Sequence, residues 1–201
     1  ERALPTLHLA ILALIQGITE FLPISSSAHL AVTPRLLGWA DQGLLIDVAV
    51  HVGTLGAVVL YVHRDIWDML SGLGRVLKGR RDQGAKLAGL VILATLPVIG
   101  AGYALNEYYP NGLRSLELIA WATLGFGILL YVVDHIGMTL RRIEHLEISD
   151  ALVIGIAQCL ALIPGTSRSG ITMTAARLLG MERTDAARFS MLLSIPAIIG
   201  E

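Results

Sequence analysis

The 201-residue sequence predicts an all-α polytopic membrane protein. It predicts an inverted-topology repeat in which two re-entrant helix-loop-helix hairpins meet near mid-membrane. Three observations carry this. The first is composition: 54% of residues are hydrophobic and 15% charged, and mean hydropathy is +0.68. Soluble domains are usually less apolar and about a quarter charged. The second is a pair of polar breaks, QGITEFLPISSSAHL at 16–30 and PGTSRSG at 164–170, each flanked by short apolar stretches. Irregular backbone at membrane depth is tolerated only inside protein or along a water-filled cavity, so such breaks mark sites. The third is an internal match at a constant offset of 142 residues. Gln16 aligns with Gln158, Ser25 with Ser167, Ser27 with Ser169, and RLLG at 35–38 with RLLG at 177–180.

The elements follow in order. Segment one, 4–22, has spanning length but carries Gln16, Thr19 and Glu20 near its end, and Pro23 disfavours helix at Leu22. Segment two, 28–37, is short and contains Pro34. Segment three, 44–62, has the length of a crossing, with Asp47 and His51 in its first half. A charged loop is expected over 63–86, part of it on the membrane surface through Trp67 and Met69. Segment four, 87–105, is expected to kink at Pro97. A turn with interfacial tyrosines is expected over 106–115, then segment five, 116–133, and a polar loop, 134–150. Segment six, 151–163, breaks at 164–170, segment seven is 171–179, and an eighth starts near Ala187. The sequence stops inside an apolar run, IPAIIGE, and is expected to be truncated at its C-terminus. It therefore reads as a single membrane domain, 1–201, with repeat one over about 4–133 and repeat two from about 151, incomplete at 201.

Charge sets the topology. The stretch 63–86 holds Arg64, Arg75, Lys78, Arg80, Arg81 and Lys86, and the loop before segment six holds Arg141 and Arg142. Both are expected to be cytoplasmic. Three crossings, segments three to five, then separate the hairpins, and an odd number inverts the second relative to the first. Net charge is −1, so no nucleic-acid partner is expected. The single cysteine, Cys159, excludes an intramolecular disulfide and any CxxC metal site, and reads as an inert thiol in an apolar run.

The breaks carry chemistry. Glu20 shares a helix face with Gln16. A carboxylate in lipid is costly, so Glu20 is either a structural acid paired with a buried Arg or helix end, or a general base, acid or metal ligand. Ser25, Ser26 and Ser27 suit turns and caps, but three in a row leave a hydroxyl for an anion site or a nucleophile. His29 reads as a hydrogen-bonding or catalytic group in the next helical turn. Arg168 needs an anion, and its planar fork matches phosphate oxygens; a structural pair with Glu20 is the alternative. Gly165 and Gly170 allow close backbone approach, and Thr166, Ser167 and Ser169 add donors. His51 reads as satisfying a neighbouring helix rather than lining the site. From these residues alone, a transporter or flippase for a phosphorylated lipid or anion suits the plan as well as an enzyme does.

QGITEFLPISSSAHL followed by PGTSRSG resembles the undecaprenyl-diphosphate phosphatase family of bacterial membranes, whose members confer bacitracin resistance. The resemblance runs from the first segment to the last, and known members are longer at the C-terminus. It implies removal of the terminal phosphate of undecaprenyl diphosphate, which returns the lipid carrier to peptidoglycan synthesis. It implies a multi-pass protein of the cytoplasmic (inner) membrane with its site open to the outer face, and a Mg2+ or Ca2+ requirement. By the same resemblance Glu20, Ser26, His29 and Arg168 are catalytic. Ser25, Ser27, Gly165, Thr166, Ser167 and Ser169 are read as binding substrate with Arg168, and Glu20 and Gln16 as candidate metal ligands. Gln16 departs from the two-glutamate form of the motif. A homodimer is left open.

Overall fold

Pro5 fixes the entry to the first helix, because its ring presets φ and the first turn does not need its missing N–H. Helix α1 (Thr6–Thr19) follows, and the computed structural model describes residues 5–108 and 115–200. A turn through Pro23 leads to Ser25, whose φ of 58° is unusual for a non-glycine residue. Ser25 Oγ accepts from Ala28 N at 3.4 Å, capping α2 (Ser26–Leu37), which ends on Gly38 in the left-handed conformation. Next come α3 (Gly43–Tyr61) and α4 (His63–Val76), with a 73° bend between them. Helices α5 (Gln83–Tyr108) and α6 (Leu116–Ile136) are the two longest, and residues 109–114 of the expected turn lie outside the described residues. A short 3-10 turn (Ile143–His145) precedes α7 (Ile148–Gln158), which runs on as a second 3-10 turn (Cys159–Leu162). Then come α8 (Arg168–Leu178), capped by Ser167 Oγ accepting from Gly170 N at 3.0 Å, and α9 (Arg183–Ile199).

The fold is all-α. Among the described residues α5 and α6 are long and apolar enough to cross a membrane, and the bent pair α3–α4 is a third such stretch. Helices α1 and α7 are shorter, 14 and 11 residues, less than the ~20 a full span needs. Two expectations change. The stretch 63–86 is not a loop: its first 14 residues form α4, because apolar residues recur there at helical spacing. Helices α2 and α8 begin at Ser26 and Arg168, before the apolar runs, because a hydroxyl cap and not hydrophobicity sets each start. Pro97 sits inside α5, which stays helical through it.

The core gathers where α5, α7, α8 and α9 pack, around Ala94, Ala151, Ile154, Ala175, Phe189 and Leu193. Helix α8 is buried along nearly its whole length despite modest hydrophobicity. Its small residues let neighbours approach. Its hydroxyls are satisfied locally, Thr174 Oγ1 donating to Gly170 O at 2.7 Å and Thr172 Oγ1 lying 2.7 Å from Ser190 Oγ on α9. Gly155 on α7 meets α5 so closely that a Cβ there would stand 2.6 Å from Ala94 O. At its far end α8 is pinned by Arg177, 4% exposed, whose guanidinium donates to Asp134 Oδ1 at 3.0 Å and to Thr139 Oγ1 at 3.0 Å.

The repeat register reappears in these elements. Thr6 and Ile148 open α1 and α7, Ser26 and Arg168 open α2 and α8, and Gly38 and Gly180 hold positive φ after α2 and α8; each pair stands 142 residues apart.

Candidate active site

Glu20 is the first residue past α1, with its N–H still bonded to Gln16 O at 3.0 Å. The end of the helix therefore aims the carboxylate inward, and the residue is 7% exposed. Gln16, one turn earlier on the same face, donates Nε2–H to Glu20 Oε2 at 2.9 Å. Ser26 at the first position of α2 donates Oγ–H to the same oxygen at 2.6 Å. His51 Nε2 from α3 lies 3.7 Å from it. The other oxygen, Oε1, receives the Arg168 guanidinium from the start of α8. One carboxylate is thus approached from α1, α2, α3 and α8.

The two breaks touch directly. Ser169 Oγ donates to Leu22 O at 3.0 Å, and a Cβ on Gly170 would stand 3.3 Å from Pro23 Cβ. Each break carries the same hydroxyl pair: Ser25 Oγ to Ser27 Oγ at 3.3 Å, and Ser167 Oγ to Ser169 Oγ at 3.1 Å. Gly165 has φ +92°, and a Cβ there would lie 2.4 Å from Ile119 O on α6. Only glycine fits that turn. Thr123 Oγ1 of α6 donates to Gly165 O at 2.9 Å and holds the loop in place.

The fold brings most of the expected residues together. Glu20, Gln16, Ser26 and Arg168 form the centre, and Ser25, Ser27, Ser167 and Ser169 line the two helix starts. Thr166 is buried, and its Oγ1 meets no hydrogen-bond partner among the described residues. His29 stands apart from Glu20: it is exposed, with Nδ1 2.7 Å from Ser25 O. A neutral ring bonded this way carries its proton on Nδ1 and leaves Nε2 as the basic nitrogen.

His51 corrects the reading that it serves a neighbouring helix. Its Nδ1 is 2.7 Å from Asp47 O one turn back, and this turns Nε2 toward Glu20. The sequence holds the signal: Asp47 and His51 are the acid and the imidazole of segment three, four apart and so on one face. A cavity of about 430 Å³ opens beside them, lined by Ser27, Arg35, Asp41, Asp47, His51 and Pro164 among others.

Among the described residues no group of three His, Cys, Asp or Glu side chains is placed to hold a metal ion. The donor set around Glu20 does contain one unspent acceptor. Gln16 is fully buried, and its Oε1 meets no donor among the described residues. Chemically, a serine O–H bonded to a carboxylate is poised to lose its proton, and a guanidinium beside it suits phosphate oxygens.

The profile of the family described as "Bacitracin resistance protein BacA" matches residues 9–201. Undecaprenyl-diphosphatase 1 of Rhodospirillum rubrum is 56% identical over 201 residues, covering 96% of this chain and 71% of the relative. Undecaprenyl-diphosphatase of Ruegeria pomeroyi is 56% identical over 194 residues, covering 96% and 73%. That of Saccharophagus degradans is 53% identical over 192 residues, covering 96% and 72%. With the two motifs joined around one carboxylate and identity of this order along nearly the whole chain, the chain belongs to the bacitracin resistance protein BacA family.

Proposed function

We propose that this chain is a multi-pass bacterial membrane enzyme that hydrolyses undecaprenyl diphosphate to undecaprenyl phosphate and phosphate, recycling the lipid carrier for peptidoglycan synthesis. Its family membership and the names of its relatives support the activity. The observation that carries the site is the shared carboxylate: Ser26 O–H on one oxygen of Glu20 and the Arg168 guanidinium on the other.

In the reaction we assign, Glu20 accepts the Ser26 proton as Oγ attacks the terminal phosphorus. The bond from that phosphorus to the bridging oxygen breaks, and the lipid monophosphate leaves with the electron pair. Water then cleaves the phosphoserine, releasing phosphate and regenerating Ser26. Arg168 turns from Glu20 to the phosphate oxygens during binding, with the N–H groups at the starts of α2 and α8 as further donors. Ser25, Ser27, Thr166, Ser167 and Ser169 supply donors around them, and Gly165 keeps the backbone close. His29, whose Nε2 carries the ring's free lone pair, accepts a proton from the water that cleaves the phosphoserine.

A divalent cation, Mg2+ or Ca2+, would be held by Glu20 and Gln16 Oε1 together with the substrate's own oxygens. When bound it supplies charge neutralisation on the diphosphate. The unspent, buried Gln16 Oε1 supports this assignment.

The plan is an inverted repeat, repeat one over about 4–133 and repeat two from about 151, with the hairpin tips at mid-membrane. The shared register of helix starts supports it. The site opens to the outer face of the cytoplasmic membrane. In support, the 430 Å³ cavity lies at the starts of α3 and α6, and each of these helices leads at its other end to an arginine-rich stretch. Glu20 and Arg168 belong to one chain, so each copy in a homodimer would carry a complete site.

Phosphate release from detergent-solubilised protein tests the reading, because a carrier needs two compartments and a hydrolase does not. Glu20→Gln and Arg168→Ala are each expected to lower kcat/KM by on the order of 10²–10³. Ser26 should be recovered as a phosphoserine after acid quench. Full turnover by Ser26→Ala would replace it with direct attack by water, and wild-type turnover by Arg168→Ala would remove the arginine from the site.

A further inference from the structure

Among the described residues, one face of helix α4 has no partner. Its inner face is fixed. Asp65 is buried and takes two bonds from Arg188 of α9, Nε to Oδ2 at 3.0 Å and Nη2 to Oδ1. Gly72 and Gly84 bring α4 onto the start of α5: a Cβ on Gly84 would lie 2.2 Å from Asp68 O, and one on Gly72 2.1 Å from Asp82 Oδ1. Asp82 ties the turn by accepting from Arg75 Nε at 2.5 Å and Ala85 N at 3.1 Å. The hydrogen bond from Arg75 holds the Asp82 carboxyl below the usual aspartate range.

The outer face is therefore set by packing and not by chance exposure. It presents Trp67, 71% exposed, with Leu70, Leu73 and Leu77 at 60%, 44% and 89%. Spacings of three and four residues place these on one arc. Arg64 flanks the arc, and Lys78, Arg80 and Arg81 follow it, all exposed. The 73° bend between α3 and α4 sets α4 well off the axis of α3. An apolar arc with an aromatic, rimmed by cations, is complementary to acyl chains below and anionic headgroups beside it.

We propose that α4 and the turn through Arg81 form a binding surface for the anionic phospholipids of the leaflet they face. The occupant is lipid: the cations at the rim of the arc complement an anionic surface. The positive-inside bias needs no folded geometry. This surface does, because the Gly72–Gly84 contact and the Asp65–Arg188 pair set its direction. The inference stands apart from the phosphatase reaction.

Tryptophan fluorescence tests it on the full chain. The double substitution Trp39→Phe/Trp121→Phe leaves Trp67 as the emitter. The protein is reconstituted in phosphatidylcholine vesicles containing about 30 mol% phosphatidylglycerol, an anionic surface of the kind that attracts juxtamembrane basic residues. Either the anionic or the zwitterionic lipid carries bromine. Quenching of Trp67 should report about a threefold enrichment of brominated phosphatidylglycerol over its bulk fraction. Lys78→Gln/Arg80→Gln/Arg81→Gln should bring that enrichment to about one, as should about 1 M salt, where the Debye length is ~3 Å. Phosphate release by the triple variant in detergent should stay at its parent level, showing that it folds. Quenching in proportion to bulk composition in the parent would overturn the proposal. So would loss of quenching by either lipid with a doubled mass in detergent, which would make a second copy the occupant.

Discussion

At the residue scale, Glu20 shows how two sequence-distant motifs become one group. Neither of its oxygens is spare: Oε2 faces Gln16, Ser26 and His51, and Oε1 faces Arg168. A carboxylate removed from water needs this, because each lost partner leaves charge uncompensated. Ser25 illustrates the local cost: it holds φ 58°, a strained value for a non-glycine residue. That conformation lets Ser25 cap α2 while Ser26 turns to Glu20. His51 supplies the prediction at this scale. Its imidazole borders the carboxylate that we assign as base, so His51→Ala should lower kcat by about tenfold, roughly 1.4 kcal/mol of barrier. His51→Gln should restore part of it, because the amide also reaches an acceptor. The rates of phosphate release by the two variants decide this; a parent-level kcat for His51→Ala would leave the residue a packing role.

At the element scale, α8 and its preceding loop are the parts with least tolerance. The loop is fixed by Thr123 on one side and by glycine at 165 on the other, and α8 is enclosed by α6, α7 and α9. Gly165→Ala must place a methyl against Ile119 O in a backbone conformation that alanine adopts poorly. It should cost about 1–3 kcal/mol of local strain and displace Arg168 from Glu20. The expected outcome is lost phosphate release together with a lower melting temperature in detergent. Cys159, the single half-buried thiol, gives a convenient melting signal through a thiol-reactive dye. Unchanged melting and turnover would mean that the loop relaxes without consequence.

At the scale of the whole molecule, the two halves are alike in frame and unlike in chemistry. Ser26 and Arg168 hold equivalent places, each opening a helix after a capping serine, and both reach Glu20. At the same offset the counterpart of Glu20 is Leu162 and that of His51 is Leu193. The described fold therefore builds one charged centre rather than two. In the plan we propose, α5 and α6 each cross once between them, so the turn at 78–81 and the loop at 141–142 face the same side. With Cys159→Ser as background, cysteines placed at Arg80 and Arg142 should both resist a membrane-impermeant maleimide added outside intact spheroplasts, and both should react after lysis. Labelling of one and protection of the other in intact cells would refute that topology.

Much of this was legible from the sequence. Apolar composition determined the class, because backbone in lipid must be helical and apolar. Hydroxyl residues and glycines determined the caps, the breaks and the repeat register, because those depend on neighbours a few residues away. The residue types at the breaks pointed to an acid, a serine and an arginine at work on phosphate. Only the tertiary structure decided that Ser26, among three serines, faces Glu20, that His51 joins them while His29 stands apart, and that 63–76 is a helix. The reason is physical. Glu20 and Arg168 are 148 residues apart, and which side chains meet across such a distance depends on how close helices can approach. Here that approach is set by small residues such as Gly155, Gly165 and Gly170 at the crossings.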